Sequence, residues 1–341
     1  MSSDETLLAP AAVEQAQATA GRVEAALHTV LFGQDELVRR VLVAVLARGH
    51  VLLEGLPGLG KTELVKGLAG ALGLEWRRVQ FTPDLLPGDI TGGPVLEEQG
   101  GERRFVFRKG PIFTQLLLAD EINRASPKTQ SALLEAMAER HVTVLGESHP
   151  LPTPHLVLAT QNPIELEGTY PLPEAQLDRF LFKLEVPNPG RDALERILCE
   201  RKGGRPPALH SEDGEAALEK LYSCVEQVFL PRAVANFIAR LIEASHPGHD
   251  AAPPVVREAV KHGASPRAAI ALAEAGRAHA LLAGKPNVGF DDVRALAGPV
   301  LSHRLVLDHR ARLDGRCASD VVEGLLEQVG ELEGDSPRVR A

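Results

Sequence analysis

Aromatic residues are scarce in this chain: one Trp, two Tyr and ten Phe among 341 positions, or 4%. A core with so few rings has to rest on Leu, Val, Ala and Ile. The hydrophobic fraction of 44% is enough to build one, so disorder is not the default. Cysteine is scarcer than the rings. Cys199, Cys224 and Cys317 lie far apart and form no CxxC pair. Free thiols in a reducing compartment are therefore predicted, rather than disulfides or thiolate metal ligands. The histidines are scattered without HExxH or paired ligand spacing, so no structural zinc is expected. No apolar run approaches the roughly 20 residues that a membrane helix needs. Met1 to Ala20 carries early acidic residues and lacks the apolar stretch of a secretory signal. The reading is a soluble, cytoplasmic protein with no membrane partner. Basic charge is also short: the net charge is −9 and the pI about 5.8. Lys and Arg are dispersed apart from short pairs such as Arg77-Arg78 and Arg103-Arg104, which disfavours a broad nucleic-acid footprint.

Against these shortages stands one dense motif, Gly55-Leu56-Pro57-Gly58-Leu59-Gly60-Lys61-Thr62. The apolar run Val51-Leu52-Leu53 before it reads as a buried strand. The segment Glu63 to Leu72 after it places Leu64, Leu68 and Leu72 on one helical face. Strand, glycine loop and helix in that order make a phosphate cradle: backbone N–H groups turn inward, and the helix N-terminus adds its positive dipole end. Lys61 is expected to reach the β- and γ-phosphates, and the Thr62 hydroxyl to bind the nucleotide's Mg²⁺. The predicted nucleotide contacts are Gly55, Pro57, Gly58, Leu59, Gly60, Lys61, Thr62 and Glu63. A chance glycine-rich turn is the bland alternative.

The chain is long enough for two domains. Two helices are predicted within 10–48, broken at Phe32-Gly33-Gln34. Strands follow at Trp76 to Phe81, Phe113 to Leu118 and Leu156 to Ala159, with a helix at Pro127 to Glu139. Hairpins are expected around Val95-Leu96 and Phe105-Val106-Phe107, and from Val142 past His149. Strands alternating with helices imply a parallel sheet covered on both faces. After the turn-rich Val186-Pro187-Asn188-Pro189-Gly190, no strand is expected. Helices are suggested at 191–202, 213–227, 231–245, 266–283, 290–302 and 318–332. The predicted class is α/β, a parallel P-loop core followed by an all-helical lid. The expected parts are an N-terminal helical segment 1–30, a core 31–187, a lid 188–333 and a loose tail 334–341.

Hydrolysis needs a metal, an activated water and positive charge at the γ-phosphate. Leu116-Leu117-Leu118-Ala119-Asp120-Glu121 is an apolar strand ending in two carboxylates. Asp120 can hold the Mg²⁺ shell and Glu121 can polarise the water. Asn162 falls at the carboxyl end of the 156–159 strand, where ligands of parallel sheets bind, although an Asn capping a turn before Pro163 reads equally simply. Arg179 stands in Leu177-Asp178-Arg179-Phe180, where pairing with Asp178 is the plain alternative. Arg267 follows the helix start Ser265-Pro266, a place where the helix dipole disfavours a cation unless an anion sits nearby.

Five separated segments together resemble the MoxR family of AAA+ ATPases. They are the phosphate loop, Leu118-Ala119-Asp120-Glu121-Ile122-Asn123-Arg124-Ala125, Ala159-Thr160-Gln161-Asn162-Pro163, Leu172-Pro173-Glu174-Ala175-Gln176-Leu177-Asp178-Arg179-Phe180 and Ser265-Pro266-Arg267. The resemblance runs from about Phe32 to Leu313, and the two hairpins match insertions of that clade. It implies that Lys61 and Thr62 are Walker A residues, Asp120 and Glu121 the Walker B pair, Asn162 the first sensor and Arg267 the second. It further implies that Arg179 is an arginine finger reaching the ATP of a neighbouring subunit, and that Gln34 lies near the adenine. For Arg124 the resemblance leaves two options, a family role or a salt bridge to the following helix. ATP and Mg²⁺ are the implied cofactors. The implied partners are further copies of the chain, usually in a hexameric ring, a von Willebrand factor A domain protein and a protein client. The implied activity is chaperone-like remodelling or maturation of protein complexes. A nucleic-acid motor, a slowly hydrolysing binding switch and a chelatase motor subunit are the rivals. Phe81-Thr82-Pro83-Asp84-Leu85-Leu86-Pro87-Gly88 carries no aromatic-hydrophobic-Gly threading loop, which favours local remodelling over processive threading.

Overall fold

The computed structural model describes residues 7–99, 102–144, 146–163, 168–201, 206–211 and 213–332. The expected tail 334–341 lies outside them, as do the hairpin residues Gly100, Gly101 and Leu145. Contacts group the described residues into two compact units. One holds those of Val23–Phe180 and Leu184–Ala216, and the other those of Met1–Arg22, Leu181–Lys183 and Ala217–Ala341.

The first elements are α1 (Pro10–Val30), α2 (Asp35–Leu46), β1 (Val51–Glu54), α3 (Lys61–Leu72) and β2 (Trp76–Gln80). A short helix, α4 (Pro87–Thr91), then leads into a hairpin of β3 (Gly92–Gln99) and β4 (Glu102–Lys109). Next come β5 (Leu116–Asp120), α5 (Pro127–Glu139), a second hairpin of β6 (His141–Val144) and β7 (Glu147–Pro150), and β8 (Leu156–Gln161). The short α6 (Glu174–Leu177) and β9 (Phe182–Glu185) follow. The five-stranded sheet has the order β2-β5-β8-β1-β9. Its β2–β5, β5–β8 and β8–β1 pairs are parallel, the pattern expected of alternating strands and helices. The β5 and β8 runs Leu116 to Ala119 and Leu156 to Ala159 are buried throughout, as continuous apolar strands of a covered sheet should be. Phe81, Phe113 and Phe180, three of the few rings, pack with Leu117, Leu133 and Val157 in one cluster.

Some boundaries differ from the sequence pattern. The strand expected from Phe113 begins only at Leu116, because Phe113 and Thr114 donate backbone bonds to Gly110 and Ile112 in a tight turn. Strand β9 was not expected: it is four residues long and interrupted by Lys183, too little for a periodic signal.

From α7 (Arg191–Glu200) onward the chain is mainly helical: α8 (Gly214–Gln227), α9 (Arg232–Ala244), α10 (Pro254–Ala259), α11 (Pro266–Leu282), α12 (Phe290–Leu301), α13 (His309–Leu313) and α14 (Ala318–Gln328). Here the expectation of no strand needs correction. A three-residue β10 (Val260–His262) pairs antiparallel with the two-residue β11 (Val306–Leu307), both too short to alternate visibly. Ser265 caps α11 with its hydroxyl, and Asp292 caps α12 through the Gly289 N–H at 2.7 Å. Burial raises the Asp292 carboxyl, yet His279, the Gly289 amide and Lys285 hold it below the usual carboxylate range. No helix among the described residues is long and apolar enough to cross a membrane.

Two histidines of the first unit, His50 and His155, are buried just before β1 and β8. The Val157 N–H donates to His50 Nδ1 at 3.1 Å, which puts the ring proton on Nε2, 3.3 Å from the Met137 carbonyl. Burial, then His155 and Arg140, push the His50 pKa from 6.5 down to about 3. The unfolded chain therefore takes up a proton that the folded chain refuses. Stability from this site is complete above the unfolded value of 6.5 and is lost as pH falls from there toward about 3. Its slope approaches about 1.4 kcal/mol per pH unit. Urea unfolding of the protein and of His50→Asn at pH values between 7 and 5 should show a shallower decline for the variant; equal slopes would remove His50 from the account.

Candidate functional site

The phosphate loop joins β1 to α3, and two of its glycines adopt left-handed backbone: Gly58 at φ 84° and Gly60 at φ 86°. A Cβ on Gly60 would stand 2.9 Å from the movable Leu31 Cδ2, so it is the dihedral that demands glycine there. Helix α3 starts at Lys61, which aims the N–H groups of its first turn into a cavity of about 330 Å³. Pro57, Gly58, Gly60, Lys61, Thr62, Glu63, Arg78, Asp120, Glu121 and Asn162 line it. The fold thus brings together most of the sequence-predicted loop residues, both carboxylates and Asn162. Gly55 and Leu59 stand just behind: the Gly55 carbonyl accepts from Lys61 Nζ at 2.8 Å, and the Leu59 carbonyl accepts from Gln34 Nε2 at 3.3 Å. Gln34 is itself buried under the loop. Burial pulls the Lys61 ammonium below its ordinary value, and the Asp120 and Glu121 carboxylates oppose that pull.

The carboxylates end β5, and a hydroxyl from β8 ties them together. Thr160, fully buried, donates to Asp120 Oδ1 at 2.6 Å and accepts the Glu121 N–H at 2.8 Å. Glu121 sits in left-handed backbone at φ 55°, a conformation that costs a non-glycine residue about 1–2 kcal/mol and is often retained at functional sites. Its Oε2 accepts from Gln80 Nε2 at 2.8 Å and from Arg124 Nη1 at 3.0 Å. Arg124 therefore pairs with the carboxylate three residues before it. Asp120 Oδ2 takes a fork from Arg78, through Nε at 3.1 Å and Nη2 at 2.6 Å.

Three contributors escaped the sequence reading: Arg78, Gln80 and Thr160. Alternation in β2 puts residues 78 and 80 on one face, and the parallel register sets Gln80 opposite Asp120. That alternation was visible in the sequence, but the identity of the facing strand was not. Besides Gln34, Gly55 and Leu59, which stand behind the cavity, Arg179 and Arg267 do not line it. Arg179 donates from Nη1 to the Leu134 carbonyl of α5 at 2.6 Å. Arg267 stands in the first turn of α11, in the other compact unit.

The donor set suits a magnesium nucleotide. Lys61 and the α3 N-terminus are anion donors, while Thr62, Asp120 and Glu121 present hard oxygens. No group of three or more His, Cys, Asp or Glu among the described residues would cage a metal unaided. Magnesium is commonly held by one or two carboxylates together with substrate phosphates, so this set fits.

Thr160→Val should strand the Glu121 amide and release Asp120 Oδ1. The expected loss is about 1–3 kcal/mol of stability, read as a fall in the denaturation midpoint. An unchanged midpoint would show that the hydroxyl does not hold the pair.

Comparison with known proteins follows the same geometry. Residues 50–182 match the model of the ATPase family associated with various cellular activities (AAA), and residues 254–325 match the AAA lid domain. Chaperone MoxR1 of Mycobacterium tuberculosis is 43% identical over 88% of this chain and 79% of its own length. Protein MoxR of Paracoccus denitrificans is 35% identical over 83% of this chain and 87% of its own. A crystal structure of a candidate ATPase from Cytophaga hutchinsonii superposes with a TM-score of 0.81 at 33% identity, covering 94% of this chain and 97% of that one.

Proposed function

The chain belongs to the MoxR family of AAA+ ATPases, and from that premise we propose that it binds ATP with Mg²⁺, hydrolyses it, and uses the cycle as a ring-forming, chaperone-like factor that remodels or matures protein complexes. The observation that carries the reading is the convergence of Lys61, the α3 N-terminus, Asp120 and Glu121 on one cavity. Lys61 and the first-turn N–H groups would bind and orient the polyphosphate, and Thr62 and Asp120 would hold the cation. The cation, when bound, neutralises charge on the phosphate oxygens. Glu121, fixed in left-handed backbone and steadied by Gln80 and Arg124, accepts the proton of the attacking water. Asn162 orients that water or the γ-phosphate from the end of β8. In this reading Gln34 supports the nucleotide end of the site, and Arg267 couples the lid to it.

Lys61→Ala should abolish nucleotide binding, because a charge-assisted phosphate contact and the local field are lost together. Glu121→Gln should still bind ATP yet turn it over slowly, since an amide cannot take the proton. Equilibrium binding and phosphate release measure the two; normal turnover in Glu121→Gln would remove the proposed base.

Arg179 is proposed to act on a neighbouring subunit's nucleotide. Its absence from the lining of its own chain's cavity supports that geometry, as does its place beside α5. A guanidinium at the transferring phosphoryl group is worth ~10³–10⁵ in rate, so Arg179→Ala should bind ATP normally and hydrolyse almost none. Mixing Arg179→Ala with Lys61→Ala subunits should restore part of the turnover, because an intact finger then faces an intact nucleotide site. No rescue, with subunit exchange shown independently, would count against the shared site. The family resemblance and the name Chaperone borne by the Mycobacterium tuberculosis relative support the remodelling role. A von Willebrand factor A domain partner and a protein client belong to the same proposal.

A further inference from the structure

The cavity holds a residue that the reading above leaves without a task. Arg78 lines the wall, with about half of its side chain exposed, while the Asp120 side chain facing it is 14% exposed. The guanidinium meets a single oxygen, Asp120 Oδ2, with two of its N–H groups, and Nη2 also donates to Gln80 Oε1 at 2.8 Å. The other oxygen, Oδ1, accepts the Thr160 hydroxyl. Both oxygens of the carboxylate assigned to the cation thus already serve as acceptors for protein donors. Thr160 is buried and cannot easily leave, because the Glu121 amide depends on it. Arg78 can leave: its side chain is long, half-solvated and based on β2 rather than on the carboxylate's own strand.

We propose that Arg78 competes with the divalent cation for Asp120 Oδ2 and so sets the magnesium requirement of nucleotide binding. The inference rests on the assignment of Asp120 to the cation. Physically, Oδ2 offers one outward set of lone pairs, and a forked guanidinium and a small hard cation need the same directions. The guanidinium cancels most of the charge that would draw the cation, and cation binding has to break the fork first. Arg78 is in this sense a positioning residue acting through Asp120. It raises the magnesium concentration at which the site fills, and it keeps a buried carboxylate paired whenever the cation is elsewhere.

The test is binding of a fluorescent ATP analogue to the full-length chain, in EDTA and across a magnesium titration. Wild type, Arg78→Gln, Asp120→Asn and the double variant are compared, with melting curves to confirm folding. Arg78→Gln should lower the magnesium midpoint about five- to tenfold, the scale for one half-exposed charge-assisted fork. Arg78→Lys, which keeps the charge without the fork, should fall between. In the Asp120→Asn background, the added Arg78→Gln change should move the midpoint no further. A midpoint that stays or rises in Arg78→Gln overturns the proposal. A full shift that persists in Asp120→Asn also overturns it, since Arg78 would then act without that carboxylate. A wild type with no magnesium dependence at all would instead overturn the assignment of Asp120, and this inference with it.

Discussion

The end of β5 is held against the end of β8 by one hydroxyl, and the rest of the cavity depends on that contact. Thr160 faces two groups at once, donating to Asp120 Oδ1 and accepting from the amide of Glu121. Parallel pairing of Ala119 with Ala159 brings the two strand ends level, so the bond needs no loop to make it. Once Asp120 is fixed by its inner oxygen, only its outer oxygen faces Arg78 and the cavity. Once the Glu121 amide is fixed, the chain can turn through left-handed backbone and present the Glu121 side chain toward Gln80. A buried threonine therefore divides the labour of two adjacent carboxylates, giving one an inner and an outer face and the other a new direction.

Electrostatics explain why so many donors are needed. Three carboxylates, Glu63, Asp120 and Glu121, line the cavity against two cations, Lys61 and Arg78. Such a wall has no excess of positive charge with which to attract a bare polyphosphate. Affinity has to come from directional groups, namely the N–H donors at the start of α3 and the Lys61 ammonium. The carboxylates are kept acceptable by neighbours mostly from elements far apart in sequence, Arg78 and Gln80 from β2 and Thr160 from β8, with Arg124 added from the turn after β5. Each is a charge-assisted bond of a kind roughly twice as strong as a neutral one, and each fixes one carboxylate oxygen in place.

How much of this could be read from the sequence depended on the range of each signal. The loop from Gly55 to Thr62 and its flanks are local, and the structure has the strand, the turn and the helix in that order. The apolar runs Leu116 to Ala119 and Leu156 to Ala159 announced central strands, because a strand covered on both faces has no polar side to alternate. The partners of Asp120 were hidden, because they follow from the strand order β2-β5-β8-β1-β9, which no local pattern encodes. Arg78 read as half of a basic pair with Arg77; alternation sends the two to opposite faces, but only the neighbouring strand shows that one meets Glu75 and the other Asp120. The missed strands were short: β9, β10 and β11 have four, three and two residues, below the length at which a period of two can be seen.

The same contrast bears on what kind of ligand the cavity can hold. A site whose donors are backbone N–H groups and one ammonium, beside carboxylates that already have partners, is poorly matched to a highly charged anion alone and to a metal ion alone. An anion alone would face Glu63, Asp120 and Glu121 across a small volume, and a cation alone would have to displace Arg78 with little to coordinate in return. A metal and a polyphosphate arriving together resolve both difficulties, since each screens the charge the other would meet. In the proposed reading the loop would receive the phosphates, and Asp120 and Thr62 would hold the metal together with phosphate oxygens in place of a protein cage. The proposed preference for a metal–nucleotide pair thus rests on the balance of charge around Asp120 as much as on the glycine loop.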